Sequence, residues 1–194
     1  MDLGILHWVN NTLHTNELVT DIFLFISKIS DTGFLWIVLS LVLLIFKNTR
    51  KIGLYSIISL AACFIVTNVI LKNVIARPRP FEESESILSF LNSICIELPD
   101  SHSFPSGHTA ASFAVAFMIW LFNKRHGTPS IIMAVLVGIS RIYLCVHYVT
   151  DVIAGMMIGI IVAFVAYWVL EHILNKYECN KYGYKKVKPL INRS

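Results

Sequence analysis

The sequence predicts an all-α integral membrane bundle of six helices, with five clear spans and one short or interfacial helix at the N-terminus. Three observations carry this. Of 194 residues, 56% are hydrophobic and 14% charged, where soluble domains average about 45–50% and 25%. Several uncharged runs reach or approach the roughly 20 residues a helix needs to cross a core of about 30 Å. The ionisable side chains fall between those runs or in one short stretch within them. The length is that of a single domain, placed at residues 1–172 and followed by a basic tail, 173–194.

Near the N-terminus, Ile5, Leu6, Val9 and Leu13 alternate with His7, Asn10, Asn11 and Thr12, a pattern suited to a membrane surface. Ile22, Phe23, Leu24 and Ile26 then make residues 18–30 either a short first span or a second surface helix, ended by Asp31 and Gly33. Residues 34–46 and 52–71 are uncharged, with Lys47, Arg50 and Lys51 between them. Residues 109–123 form another uncharged run, closed by Lys124 and Arg125. From 128 to 170 the only basic, acidic or imidazole side chains are Arg141, His147 and Asp151. One straight helix of that length would extend about 65 Å, so the chain turns back, and the polar trio marks where.

Cys63, Cys95, Cys145 and Cys179 lack Cys-x-x-Cys spacing, which predicts neither a zinc site nor a disulfide framework. The N-terminus has no basic region and small-residue cleavage site, so no signal peptide is expected. The net charge of +4 is spread along the chain rather than gathered on one face, which argues against a nucleic-acid partner.

Alternating the connections puts Lys47, Arg50, Lys51, Lys124, Arg125 and the tail's Lys176, Lys181, Lys185, Lys186, Lys188 and Arg193 on one side. By the positive-inside rule that side is cytoplasmic, and the protein is a multi-pass protein of the cell membrane. The outer side receives Lys28, Lys72, Arg77, Arg79 and Arg141, with Glu82, Glu83, Glu85, Glu97 and Asp100 in the loop after Pro80. Within that loop, residues 83–98 carry apolar side chains at helical spacing, which predicts an outer interfacial helix, either a lid or a connector.

Three stretches meet on the outer side. Arg141, His147 and Asp151 lie in apolar sequence, where an unpaired ionisable group costs several kcal/mol. Helix from Val146 onward would set His147 and Asp151 one turn apart, so that the carboxylate orients the imidazole. Taken singly, such residues read as a helix cap and a snorkelling anchor. Lys72 and Arg79 would share a face if their helix persists, clamping an anion, until Pro78 and Pro80 stop it. Ser106 and Gly107 would offer backbone N–H groups at a helix start, a phosphate cradle, with His108 in the first turn. The residues thus describe one anion site of cations, N–H donors, two imidazoles and a carboxylate.

The order Lys-x6-Arg-Pro, Pro-Ser-Gly-His and Ser-Arg-x5-His-x3-Asp resembles the three signature motifs of the type-2 phosphatidic acid phosphatase superfamily, which also includes bacterial acid phosphatases and vanadium haloperoxidases. The resemblance covers about residues 34–170. It implies a six-helix bundle with the site at one membrane face. It also implies that His147 attacks phosphorus to form a phosphohistidine, that Asp151 orients it and that His108 protonates the leaving oxygen. Lys72, Arg79 and Arg141 match the phosphate-binding cations, and Ser106 and Gly107 help hold the oxygens. No metal or other cofactor is expected. Arg77 belongs to no motif and reads as a surface anchor.

The expected partners are the bilayer and a lipid phosphate. The expected activity is hydrolysis of a terminal phosphate, with undecaprenyl pyrophosphate favoured and phosphatidylglycerol phosphate or phosphatidic acid also fitting. A haloperoxidase would share the pocket, but that branch is soluble. An anion transporter would leave the pairing of His147, Asp151 and His108 without a purpose.

Overall fold

The computed structural model describes residues 2–13 and 16–182, and in that range its regular elements are all helices, with no strand. The N-terminal helices are α1 (Asp2–Leu13) and α2 (Glu17–Ile29). Asn16 caps α2, its side-chain oxygen accepting from the Val19 N–H. A short 3-10 turn, Asp31–Gly33, leads into α3 (Phe34–Ile45), with Gly33 in the left-handed region. Helix α4 (Arg50–Phe64) continues as a π-helix, Ile65–Leu71, and then as α5 (Lys72–Ile75). Two short helices follow, α6 (Pro80–Glu83) and α7 (Glu85–Ser93). The last three are α8 (Gly107–Phe122), α9 (Lys124–Tyr143) and α10 (Val149–Tyr182).

By length and composition two stretches are apolar enough to cross a membrane, Arg50–Glu82 and Val149–Tyr177. A third counts if α2 and α3, bent by 54° at their junction, are taken as one span. Helix α8 is apolar but shorter. It is the hub of the bundle, burying Ala110, Phe113, Ala114, Val115, Ala116 and Met118 against α4, α9 and α10. The approach of α10 is made possible by Gly155 and Gly159. A side chain at Gly155 would meet the Ser106 carbonyl, and one at Gly159 the Ala110 carbonyl and Phe113. Small residues four apart let two helices touch at the backbone, the arrangement favoured where lipid removes the hydrophobic drive for association.

Two polar layers divide the bundle. At one end Lys51 pairs with Glu171 at 2.5 Å, and Tyr55 donates to the same carboxylate at 3.3 Å. At the other, Asp151 begins α10, twenty residues earlier, a rise of about 30 Å. That matches the thickness of a bilayer core.

The N-terminal helices lie at the Asp151 end. The Asp2 carboxylate accepts from Thr150, and the Leu13 carbonyl from the Tyr143 hydroxyl, so both ends of α1 sit there. Thr20 of α2 bonds Tyr143, and Asp31 just beyond α2 reaches His108. The helix expected in the loop after Pro80 is α7, shorter than the stretch 83–98 read from the sequence. It buries Ile87 and Leu91 against Leu6 and Val9 of α1 and against residues 143–148. Helix α10 runs unbroken through residues 173–182, and the remainder of the basic tail, 183–194, lies outside the described residues. Cys63, Cys95 and Cys145 are free thiols.

Candidate active site

The turn between α9 and α10 brings His147 and Asp151 together. Leu144, Cys145 and Val146 close it by donating N–H groups to the carbonyls of Ser140, Ile142 and Arg141. Helix α10 starts at Val149 rather than Val146, so His147 precedes it, and the one-turn argument for the pair does not hold as expected. Asp151 instead sits at the third helical position and reaches back to the Tyr148 N–H at 3.0 Å, one half of a capping box. That folds the carboxylate under His147, placing Oδ2 3.6 Å from Nδ1, longer than a hydrogen bond.

The other imidazole nitrogen settles the tautomer. Arg79 Nη1 lies 3.4 Å from His147 Nε2 and 2.9 Å from the Val146 carbonyl. A guanidinium only donates, so Nε2 accepts and Nδ1 carries the proton toward Asp151. Burial pushes the imidazole below its ordinary pKa, against the opposing pull of Asp151, and keeps it neutral. A neutral imidazole with its lone pair turned toward a guanidinium is oriented for attack on an anion held there.

Arg79 and Lys72 are brought together by a different route from the one expected. Helix α5 ends at Ile75, Ala76 turns into the left-handed region and Arg79 is extended. The two cations therefore share no helical face. They converge on Ser101, whose hydroxyl accepts from Lys72 Nζ at 3.0 Å and from Arg79 Nη2 at 3.2 Å. Its carbonyl accepts from Arg79 Nε at 2.6 Å. Lys72 follows directly on the π-helix, a wide turn found often at functional sites.

His108 opens α8, and its Nε2 lies 3.0 Å from Asp31 Oδ1. Arg141 is buried, with Nε donating to Ser140 and Nη2 without a partner among the described residues. A buried guanidinium donor of that kind suits an anionic ligand. The cradle expectation is corrected at Ser106. Its N–H donates to the Asp151 carbonyl at 3.0 Å and its hydroxyl pairs with Thr109. Gly107 faces Asn68, whose side chain would stand 3.0 Å from an added Cβ.

Arg77 is not a surface anchor. It donates to Asp151 Oδ1 at 2.7 Å, to Thr150 at 2.8 Å and to Asp2 at 3.1 Å, and it stacks 3.7 Å over the Tyr148 ring. Ser103 completes the support, its hydroxyl donating to Asp151 Oδ2 at 2.5 Å. Asp2, Asp31, Ser101 and Ser103 went unread because each is an ordinary polar residue in sequence. Asp31 alone carried a signal, as an acid between two apolar runs.

A cleft of about 720 Å³ opens beside Lys72, Arg79, Ser101 and His108 and descends between α3 and α4 along Ile37, Ile57, Leu60, Ala61 and Phe64. Its head is polar and its shaft apolar. No three His, Cys, Asp or Glu side chains converge as metal ligands among the described residues.

Comparison with known proteins fits this arrangement. The chain is 35% identical over 159 residues to an undecaprenyl-diphosphatase of Sulfolobus acidocaldarius, covering 79% of this chain and 73% of that protein. It is 28% identical over 164 residues to undecaprenyl-diphosphatase BcrC of Bacillus subtilis, covering 84% and 81%. In fold it resembles the crystal structure of a transmembrane PAP2 type phosphatidylglycerolphosphate phosphatase from Bacillus subtilis, with a TM-score of 0.66 and 24% identity over 89% of this chain and 85% of that one. Residues 52–173, which hold every motif of the site, match the family model as well, and the chain belongs to the PAP2 superfamily.

Proposed function

We propose that this phosphatase removes the terminal phosphate of a membrane lipid pyrophosphate, undecaprenyl pyrophosphate above the phosphomonoesters phosphatidylglycerol phosphate and phosphatidic acid. The observation that carries the reading is the contact of Arg79 with His147 Nε2, because Arg79 also lines the polar head of an apolar cleft. A phosphate on Lys72, Arg79 and Arg141 would place phosphorus before that nitrogen, with the lipid chain in the shaft. The names of the two relatives support the pyrophosphate.

In the first step Nε2 bonds to phosphorus as the bond to the leaving oxygen breaks, and His108 gives that oxygen its proton. The cations, with a backbone donor at Gly107, stabilise the pentacoordinate centre. Water then attacks the phosphohistidine, passes its proton to His108 and releases phosphate. His147, His108 and Asp151 thus perform the chemistry without a cofactor.

The bundle is read as crossing the cell membrane five times, through α3, α4, α8, α9 and α10, with α1 and α2 lying on the face that carries the site. Lys47, Arg50, Lys51, Lys124 and Arg125 belong to the opposite end, which the positive-inside rule makes cytoplasmic, together with the tail. The site then faces outward. Cysteine-accessibility labelling that reached residue 124 from outside would reverse this orientation.

The test of the chemistry is rapid quench at alkaline pH with terminally labelled undecaprenyl pyrophosphate. Label bound to wild type and absent from His147→Ala is expected. Label that survives the substitution, or turnover without label under single-turnover conditions, refutes attack by His147. Release rates compared across the three lipids test the preference.

A further inference from the structure

We propose that Arg77 is a positioning residue of the reaction, fixing Asp151 through the oxygen that does not face His147, and that Asp2 of α1 holds Arg77 in place. The proposal rests on the reading of His147 and Asp151 as the reacting pair.

Asp151 is fully buried, and its two oxygens are held from different sides. Oδ2 accepts from the Tyr148 N–H and the Ser103 hydroxyl, and faces His147. Oδ1 accepts from Arg77 at 2.7 Å. Arg77 also reaches Ser103, since its backbone carbonyl accepts the Ser103 N–H at 2.9 Å. One residue therefore fixes both oxygens, one directly and one through the hydroxyl on Oδ2.

The guanidinium cannot swing freely. Its face lies against the Tyr148 ring, whose hydroxyl donates to Glu83 at 2.7 Å. Its outer edge meets Asp2, which also accepts from Thr150 at 2.5 Å. The result is an alternating series, Asp2, Arg77, Asp151, His147, that runs from the N-terminal helix to the attacking nitrogen. A lysine could supply the charge but not the stacked fork that meets three acceptors at once.

The experiment measures kcat, KM and single-turnover phosphoenzyme formation on the full chain in detergent, with undecaprenyl pyrophosphate as the probe. Arg77→Gln is expected to lower kcat about a hundredfold, as displacement of a catalytic group by an ångström does, with KM little changed. Asp2→Asn should lower kcat about tenfold, and Arg77→Gln added to Asp151→Asn should lose less than about threefold more, because groups acting through one another are not additive. Arg77→Lys should rescue little of the loss.

Full additivity with Asp151→Asn, a rise in KM at unchanged kcat, or near-wild-type rates in Arg77→Gln would overturn the proposal. Should Arg77→Gln fail to fold, Arg77→Lys and Asp2→Asn are put through the same cycle with the same criteria. If wild type shows no label that depends on His147, the nucleophile reading fails. The non-additivity of Arg77 with Asp151 is read separately and stands or falls alone.

Discussion

Arg79 Nη1 donates to His147 Nε2 at 3.4 Å while Asp151 Oδ2 stands 3.6 Å from Nδ1 on the far side of the ring. The imidazole is thus held between a cation that demands its lone pair and a carboxylate that demands its proton. Asp151→Asn keeps the shape of the carboxylate but presents an amide that no longer fixes the proton on Nδ1. It should lower kcat by up to about 10⁴-fold with substrate binding nearly intact, as wrong-tautomer variants do elsewhere. Steady-state kinetics check this, and a KM effect without a kcat effect would contradict it.

His108→Ala and Arg141→Ala should each remove about 2.7–4 kcal/mol of transition-state stabilisation, a hundred- to a thousandfold in rate. Neither side chain belongs to the apolar core of the bundle, so detergent-solubilised variants should elute as wild type does. Rates within a few-fold of wild type would remove both residues from the mechanism.

The pH dependence follows from the buried imidazole of His147. Its folded pKa is lowered, first by burial and further by Arg79 and His108, with Asp151 opposing. Unfolded, it would titrate near about 6.5. The stability tied to the neutral ring is therefore complete above about pH 6.5 and declines as pH falls from there toward the folded value, because only the unfolded chain gains the proton. The histidine resonances, followed by NMR against the His147→Gln variant, should show an imidazole titrating below the ordinary range. Titration at or above it would contradict the tautomer assignment.

The apolar shaft of the cleft should matter only to substrates with a tail. Ala61 lines it on α4, so Ala61→Trp should slow hydrolysis of long-chain lipid phosphates by tenfold or more, roughly 1.4 kcal/mol. A small soluble ester such as p-nitrophenyl phosphate should be hydrolysed at the wild-type rate. Equal losses on both would place the chain elsewhere.

Packing gives a fifth expectation. Gly159→Leu drives a side chain into the Ala110 carbonyl and places its Cβ 2.9 Å from that of Phe113. Overpacking of this kind destabilises by about 1–3 kcal/mol or more. Gly4 in α1 has nothing within 4 Å of an added Cβ, and Gly4→Ala should stabilise the helix by about 0.5–1 kcal/mol. Thermal unfolding in detergent, monitored by tryptophan fluorescence, separates the two.

The parts of this molecule written locally were legible and the parts made by distant contacts were not. Apolar run length marked the helices at 34–46, 52–71 and 109–123, and the trio Arg141, His147 and Asp151 marked the final turn. Lys72 and Arg79 were found as a pair, but their meeting point, Ser101, lies beyond two prolines and two short helices. Asp2 and Asp31 come from the segment with the weakest periodicity, and only tertiary structure carries them to Arg77 and His108. Arg77 was misread because one more cation beside Arg79 has no distinguishing spacing. The glycine pair of α10 was visible as letters, yet its meaning depends on which helix it faces.

The π-helix at Ile65–Leu71 fixes how the chain may vary in length. Each residue of an α-helix turns the next by about 100°. A wide turn absorbs the rotation of about one extra residue. If these seven residues tightened to α with none removed, Lys72 would swing away from Ser101 by about that angle while every apolar residue of α4 before it stayed in register. The bundle would still assemble, with its first cation turned from the site. The segment therefore works as a phase adjuster between scaffold and chemistry, and a one-residue gap there, which lets the helix tighten without turning Lys72, is far better tolerated than tightening at full length.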